Sequence, residues 1–229
     1  MNKKTPPRIE GTLRRVALRV PDVIRKCSGI VIFGKRIKSI VFSTDLCIIK
    51  NVNADAIIAV YPFTPQPIIT EALLLAADIP VFVGVGGGLT QGRRVVNLAM
   101  YAEMQGATAV VVNAPASDEV IHSINDIVDI PVVVTVVNPE HDIEGRVKAG
   151  ASIFNVSAAE KTPQTVRQIR KLYPDIPIIA TGGPTDETIL ETIEAGANAI
   201  TWTPPASGEI FKEIMAAYRE GKQNPHHNT

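Results

Sequence analysis

The sequence predicts a single compact (β/α)8 TIM barrel preceded by an N-terminal extension. From Ser39 onward the chain repeats one phrase eight times: a short apolar run, a loop of Gly, Pro, Ser, Thr or Asn, then an amphipathic helical segment. Asp-Ile-Pro opens a strand at 78–80, 129–131 and 175–177, and Gly-Ala opens others at 106–107, 150–151 and 196–197. The segment GATAVVVNAPAS at 106–117 is echoed by GANAITWTPPAS at 196–207, four strand–helix units later. Eight units with this internal echo favour a closed barrel over an open doubly wound sheet. At about 180 residues it is short for the architecture, where roughly 250 is typical.

The elements follow in order. Candidate strands are 39–43, 56–60, 80–85, 109–112, 131–137, 152–156, 177–181 and 199–203. Their continuous β-branched runs suit strands covered on both faces, as in a parallel sheet. The segments between them are long enough for crossover helices. Gly before a strand ends the preceding helix, and Pro starts a strand where its missing N–H does no harm. Three regions result: residues 1–38 as a basic and apolar extension, 39–220 as the barrel, and 221–229 as a polar tail expected to fray. In the extension, Val16, Val20, Val23 and Ile24 have partial helical spacing, and 28–34 is more apolar. A plug over the N-terminal mouth of the barrel and a dimerisation arm both fit it.

Composition narrows the class. Of 229 residues 45% are apolar and 20% charged, which excludes disorder, and two cysteines, Cys27 and Cys47, exclude a disulfide-stapled fold. No apolar run is long enough for a membrane span, and the basic N-terminus leads into no signal-peptide core. A soluble cytoplasmic protein is expected. The zero net charge hides an asymmetry: residues 1–38 hold 11 Lys/Arg against 2 Asp/Glu, a net of +9, and the remainder carries −9. That basic leader could neutralise the acidic body, within a subunit or across a homo-oligomer, or face an anionic partner.

A barrel of this kind works from the C-terminal ends of its strands. Asp45, after the first strand, is the candidate acid or base, with a helix N-cap as its alternative role. Glu140 and His141, after the fifth, are further candidates, although Asn138-Pro139-Glu140 also reads as a helix start. Gly182 and Gly183 follow Thr181 at the seventh strand, and Ser207 opens a helix after Thr203 and the eighth; both loops suit an anion. Gly86 and Gly87 occupy the corresponding place in the other half-barrel, with Arg93 and Arg94 close behind. Asn113, Asn155 and Ser157 could read a ligand hydroxyl or carbonyl. The absence of lysine from the barrel strands argues against Schiff-base chemistry, and no histidine-rich metal signature, P-loop or Rossmann fingerprint occurs. No metal or cofactor is expected.

The Thr181-Gly182-Gly183 motif, followed by the Gly-Ala-started eighth strand, resembles the ribulose-phosphate-binding barrels. The stretch IIATGGPTDETILETIEAGANAITWT is most similar to glycerol-3-phosphate-responsive antiterminators; the specific part of the likeness is 177–208. The superfamily resemblance implies a phosphorylated small metabolite at the corresponding loops, and the antiterminator resemblance implies an RNA-binding regulator. The chain departs from the pattern at Thr203-Pro204-Pro205, where such barrels commonly carry glycine and where proline removes a backbone donor. The catalytic lysines and aspartate pairs of the enzymes in that superfamily have no counterparts. Two functions therefore stand side by side: an enzyme acting on a small phosphorylated or anionic metabolite, and a ligand-responsive regulator, with nucleic acid as a partner of its basic leader.

Overall fold

The computed structural model describes residues 18–223 and isolated positions at 5, 7, 9 and 225. Val16 of the partial helical spacing, and most of the expected C-terminal tail beyond 223, lie outside the described residues. A hairpin of β1 (Ile30–Ile32) and β2 (Lys35–Ile37) precedes the barrel. Eight parallel strands then close in chain order: β3 (Ser39–Phe42), β4 (Ala56–Ala59), β5 (Val81–Gly86), β6 (Ala109–Val112), β7 (Val132–Val136), β8 (Ile153–Val156), β9 (Ile178–Thr181) and β10 (Ala199–Trp202), with β10 pairing back onto β3. The alternating helices are α1 (Leu46–Lys50), α2 (Pro67–Ala76), α3 (Arg93–Met104), α4 (Asp118–Asn125), α5 (Ile143–Lys148), α6 (Thr162–Leu172), α7 (Asp186–Glu194) and α8 (Ser207–Arg219).

Strand side chains divide between two cores. Ile40, Ile58, Phe82, Val111, Val133, Ile153 and Ile179 point into the barrel, where Ala56, Ala109 and Ala199 make room for Phe82. Val41, Ile57, Val110, Val134, Phe154 and Ile200 point outward and pack under Leu73, Val95, Ile121, Val166, Ile169 and Ile189 of the helices. Burial on both faces is why the strands are β-branched without alternation. Gly106, Gly150 and Gly196, with φ of 95°, 103° and 113°, each end a helix in the left-handed conformation that a side chain resists.

The hairpin was not read from the sequence. Ile30, Ile32 and Ile37 join the interior core and close the N-terminal end of the barrel, while Val31 faces solvent. A two-residue turn of type I′ needs positive φ at both positions; Gly34 supplies one at 80° and Phe33 is held at 46° for the other. The Gly29 amide donates to the Asn198 carbonyl at 2.8 Å, and the Asn198 side chain donates to Ser28 Oγ at 2.9 Å, fastening the hairpin to the strand ends. Of the expected helical spacing, Val23 and Ile24 fall in a 3-10 helix, Asp22–Lys26.

Candidate functional site

The layer of inward-facing residues nearest the C-terminal mouth is split. On one side stand Phe42, Val60 and Gly84, each two residues beyond an inward apolar residue of β3, β4 or β5. On the other stand Asn113, Thr135, Asn155, Thr181 and Thr201, in the corresponding places on β6 to β10. Thr135 is in register with Asn155, and Thr181 with Thr201. The contacts within this polar arc are long: Asn155 Nδ2 donates to Thr135 Oγ1 at 3.4 Å, and Thr181 Oγ1 to Ser157 Oγ at 3.3 Å. Thr201 is 7% exposed and its hydroxyl has no partner among the described residues. An unpaired buried hydroxyl costs about 1–3 kcal/mol, so the arc is under-satisfied in the protein as it stands.

Beside this layer lies a cleft with two lobes, bordered by Phe42, Val60 and Gly84 and, of the polar arc, by Asn113, while Thr181 borders a separate cavity with Gly182 and Gly183. The outer, about 560 Å³, is bordered by Phe42, Asp45, Tyr61, Asn113, Thr203 and Pro204. The inner, about 200 Å³, is bordered by Phe63, Gly86, Gly88, Leu89 and Thr90. Val60, Tyr61, Pro62 and Asn113 line both.

Asp45 reaches the outer lobe but is committed. Its carboxylate accepts from the amides of Cys47 at 2.8 Å and Ile48 at 3.4 Å, capping α1. A hydrogen bond from the Ser207 hydroxyl, aided by amides of α1 and of Ser207, holds its carboxyl below the usual carboxylate range. Glu209 Oε2 accepts from the Ala206 amide at 2.9 Å. The amides that open α8, where a phosphate would sit in a cradle of this type, thus face two protein carboxylates. The glycines of the seventh loop also have packing roles. A Cβ on Gly182 would meet Ile189 at 2.7 Å and Ile200 at 2.8 Å, and one on Gly183 would meet Thr188 Oγ1 at 2.6 Å.

Glu140 and His141 border neither lobe. The helix expected from Asn138 begins at Ile143 instead, because Asp142 caps it through the Gly145 amide at 2.9 Å and Asn138 Oδ1 holds the Glu140 amide in a turn at 3.0 Å. His141 borders a separate cavity between α5 and α6, where burial lowers its pKa. Gly86 and Gly87 form the floor between β5 and β6; a Cβ on Gly87 would meet the Asn113 carbonyl at 2.9 Å. Arg93 and Arg94 border neither lobe. Cys27 is buried, its thiol pushed up to about 11, and Cys47 lies exposed on α1. Among the described residues no three His, Cys, Asp or Glu side chains are grouped to hold a metal ion.

Sequence reasoning missed three contributors. Thr201 and Thr135 were read as strand residues, although their parity with Asn155 could have flagged them. Arg146 was not singled out: its guanidinium donates to the Ala116 carbonyl, to the Ala114 carbonyl at 3.1 Å and to Asp118 at 3.0 Å, bracing the loop that carries Asn113. Its signal was only a basic residue on a short helix.

No family model and no curated protein sequence matches the chain. Solved structures do. Phosphoenolpyruvate phosphomutase from Streptomyces platensis subsp. rosaceus is 13% identical, with a TM-score of 0.64 over 87% of this chain and 86% of that one. Phosphonopyruvate hydrolase, solved with oxalate and Mg++, is 14% identical, with a TM-score of 0.62 over 84% and 86%. Dihydrodipicolinate synthase from Bacillus anthracis is 16% identical, with a TM-score of 0.55 over 80% and 76%. The chain is a (β/α)8 barrel. At these identities the likeness is one of fold. Among the described residues, no helix is long and apolar enough to cross a membrane.

Proposed function

We propose that the chain is a metabolic enzyme that takes a small anionic metabolite at the C-terminal mouth, with the anion on the neutral donors of the arc formed by Asn155, Ser157, Thr181 and Thr201. The observation that carries this is the unpartnered Thr201 hydroxyl inside an otherwise close-packed barrel. Hydroxyl and amide donors can bind an anion without a compensating cation, and such a polar group in a concave site is how small-molecule pockets fix orientation. The fold neighbours support the substrate class: they include a phosphoenolpyruvate phosphomutase and a phosphonopyruvate hydrolase in complex with oxalate and Mg++. A carboxylate suits the arc better than a phosphate at the start of α8, where Asp45 and Glu209 already pair with the amides.

A second reading, a ligand-responsive regulator without catalysis, draws on one observation. The proposed acid–base residues do not converge: Asp45 caps α1, and Glu140 and His141 border neither lobe. The resemblance of 177–208 to the antiterminators supports the same reading. Thermal-shift titration of the purified protein with oxalate, 2-oxo acids, glycerol and sugar phosphates and their uncharged counterparts tests the binding claim. Anions should raise the melting temperature by mass action and uncharged analogues should not. Equal responses from both sets would sink it. Turnover of a bound compound then separates enzyme from regulator.

A further inference from the structure

The inner lobe carries features that neither folding nor the proposed anion contacts of Asn155, Ser157, Thr181 and Thr201 use. Thr90 borders it, is 6% exposed, and its hydroxyl has no partner among the described residues. The Asn113 side chain, at the junction of the two lobes, makes no hydrogen bond among the described residues. Phe63 and Leu89, both bordering the lobe, are 74% and 92% exposed. Gly88 is the odd glycine of its triplet. Gly86 and Gly87 have φ of 118° and 101°, and a Cβ on either would crowd its neighbours, whereas a Cβ on Gly88 would have only Asn113 Nδ2 near it, at 3.8 Å. Its missing side chain leaves room beside a free amide.

We infer that the inner lobe is a specificity pocket for an apolar substituent on the anionic substrate, with Gly88 setting its depth and Thr90 and Asn113 meeting a polar atom of that substituent. This rests on the anion site proposed above. About 150 Å³ of apolar cavity holds a benzene ring, so a lobe of about 200 Å³ takes a phenyl or branched four-carbon group. Pro62, Phe63 and Leu89 give that group apolar walls. The substrate class is therefore a small carboxylate bearing an aryl or branched aliphatic side chain, rather than a bare two- or three-carbon acid.

The test is a thermal-shift series at matched concentration with oxalate, pyruvate, 4-methyl-2-oxopentanoate and phenylpyruvate, on the wild type and on Gly88→Leu and Thr90→Val. Tighter binding of the larger acids should make their shift roughly twofold or more that of oxalate. Gly88→Leu, which fills the lobe at a position without positive φ or crowding, should abolish that gain and leave the oxalate shift in place. Thr90→Val should leave the oxalate shift unchanged and reduce the gain for any acid whose side chain offers a polar atom, with 4-hydroxyphenylpyruvate as the added probe. A shift independent of side-chain size overturns the pocket and leaves the anion site standing. Loss of the oxalate and phenylpyruvate shifts together in Gly88→Leu also overturns it. No shift with any acid in the wild type overturns both.

Discussion

The two ends of the barrel treat their polar groups differently. Among the described residues, those at the N-terminal end are paired with one exception. Asp55 Oδ2 accepts from the Lys38 amide at 2.8 Å and from the Ser39 amide and hydroxyl at 3.0 Å. Arg170 donates to the carbonyls of Ile176 and Gly196 and to Asn198 Oδ1, each at 2.8 Å. The hairpin covers the opening with three buried isoleucines. At the C-terminal end the side-chain bonds of the polar arc lengthen to 3.3–3.4 Å, and the Thr90 and Thr201 hydroxyls have no partner among the described residues. Among the described residues the third buried unpartnered side-chain atom, Gln105 Oε1 at the end of α3 and just before β6, is the exception at the N-terminal end. One end is built to hold the fold; the other keeps groups that a ligand would satisfy, the division of labour general to this architecture.

That contrast is breakable by mutation. Phe82→Ala should cost most, about 3–5 kcal/mol, because a fully buried ring among alanines leaves a cavity the barrel cannot collapse. Denaturant unfolding would read it, and a loss below about 1 kcal/mol would show that the interior repacks. Arg170→Ala should cost about 2–3 kcal/mol by stranding its acceptors, yet leave any ligand-induced thermal shift unchanged. A lost ligand response there would mean that the two ends are coupled.

Asp45→Ala should cost about 1 kcal/mol through the lost cap, whereas Asp45→Asn keeps a capping oxygen and should cost less. The pH dependence has a definite sign. Ser207 and the amides of α1 bind the ionised form, so the folded pKa lies below the ordinary 3.8. The stabilisation is fully present above the unfolded-state value and is lost as pH falls through the folded one. Asp45→Asn should flatten that part of an acid-unfolding curve, and an unchanged curve would remove Asp45 as a contributor.

Much of the fold was legible because it rests on local and repetitive signals. Double-sided burial wrote the eight strands as β-branched runs, the helix-stop glycines marked their spacing, and the cap role of Asp45 was visible as the alternative to chemistry. The hairpin was not, because its turn is Phe33-Gly34 rather than Asn-Gly or Asp-Gly, and its alternation spans only three residues a side. The helix start after β7 was misplaced because Pro139 is an equally good turn residue, and the stronger cap, Asp142, lies three positions on. The site was legible only in pieces. Asn113 and Thr203 border the outer lobe and Thr181 borders a different cavity, but glycine-rich composition at 182–183 reflects helix–strand packing as well as any ligand, and only coordinates separate the two. Thr201 escaped notice since nothing in a sequence says that a hydroxyl has no partner.

The most direct test of the difference between the ends is the melting temperature of Thr201→Val, alone and with the anion that binds the wild type. Removing an unpaired buried hydroxyl at nearly constant shape should stabilise the free protein by about 1 kcal/mol, or roughly 2–4 °C for a chain of this size. The same change should shrink the ligand-induced shift. A variant that melts lower than the wild type, or that responds to the ligand as strongly, would mean that the hydroxyl is already satisfied in the folded protein and that the mouth is not waiting for a ligand there.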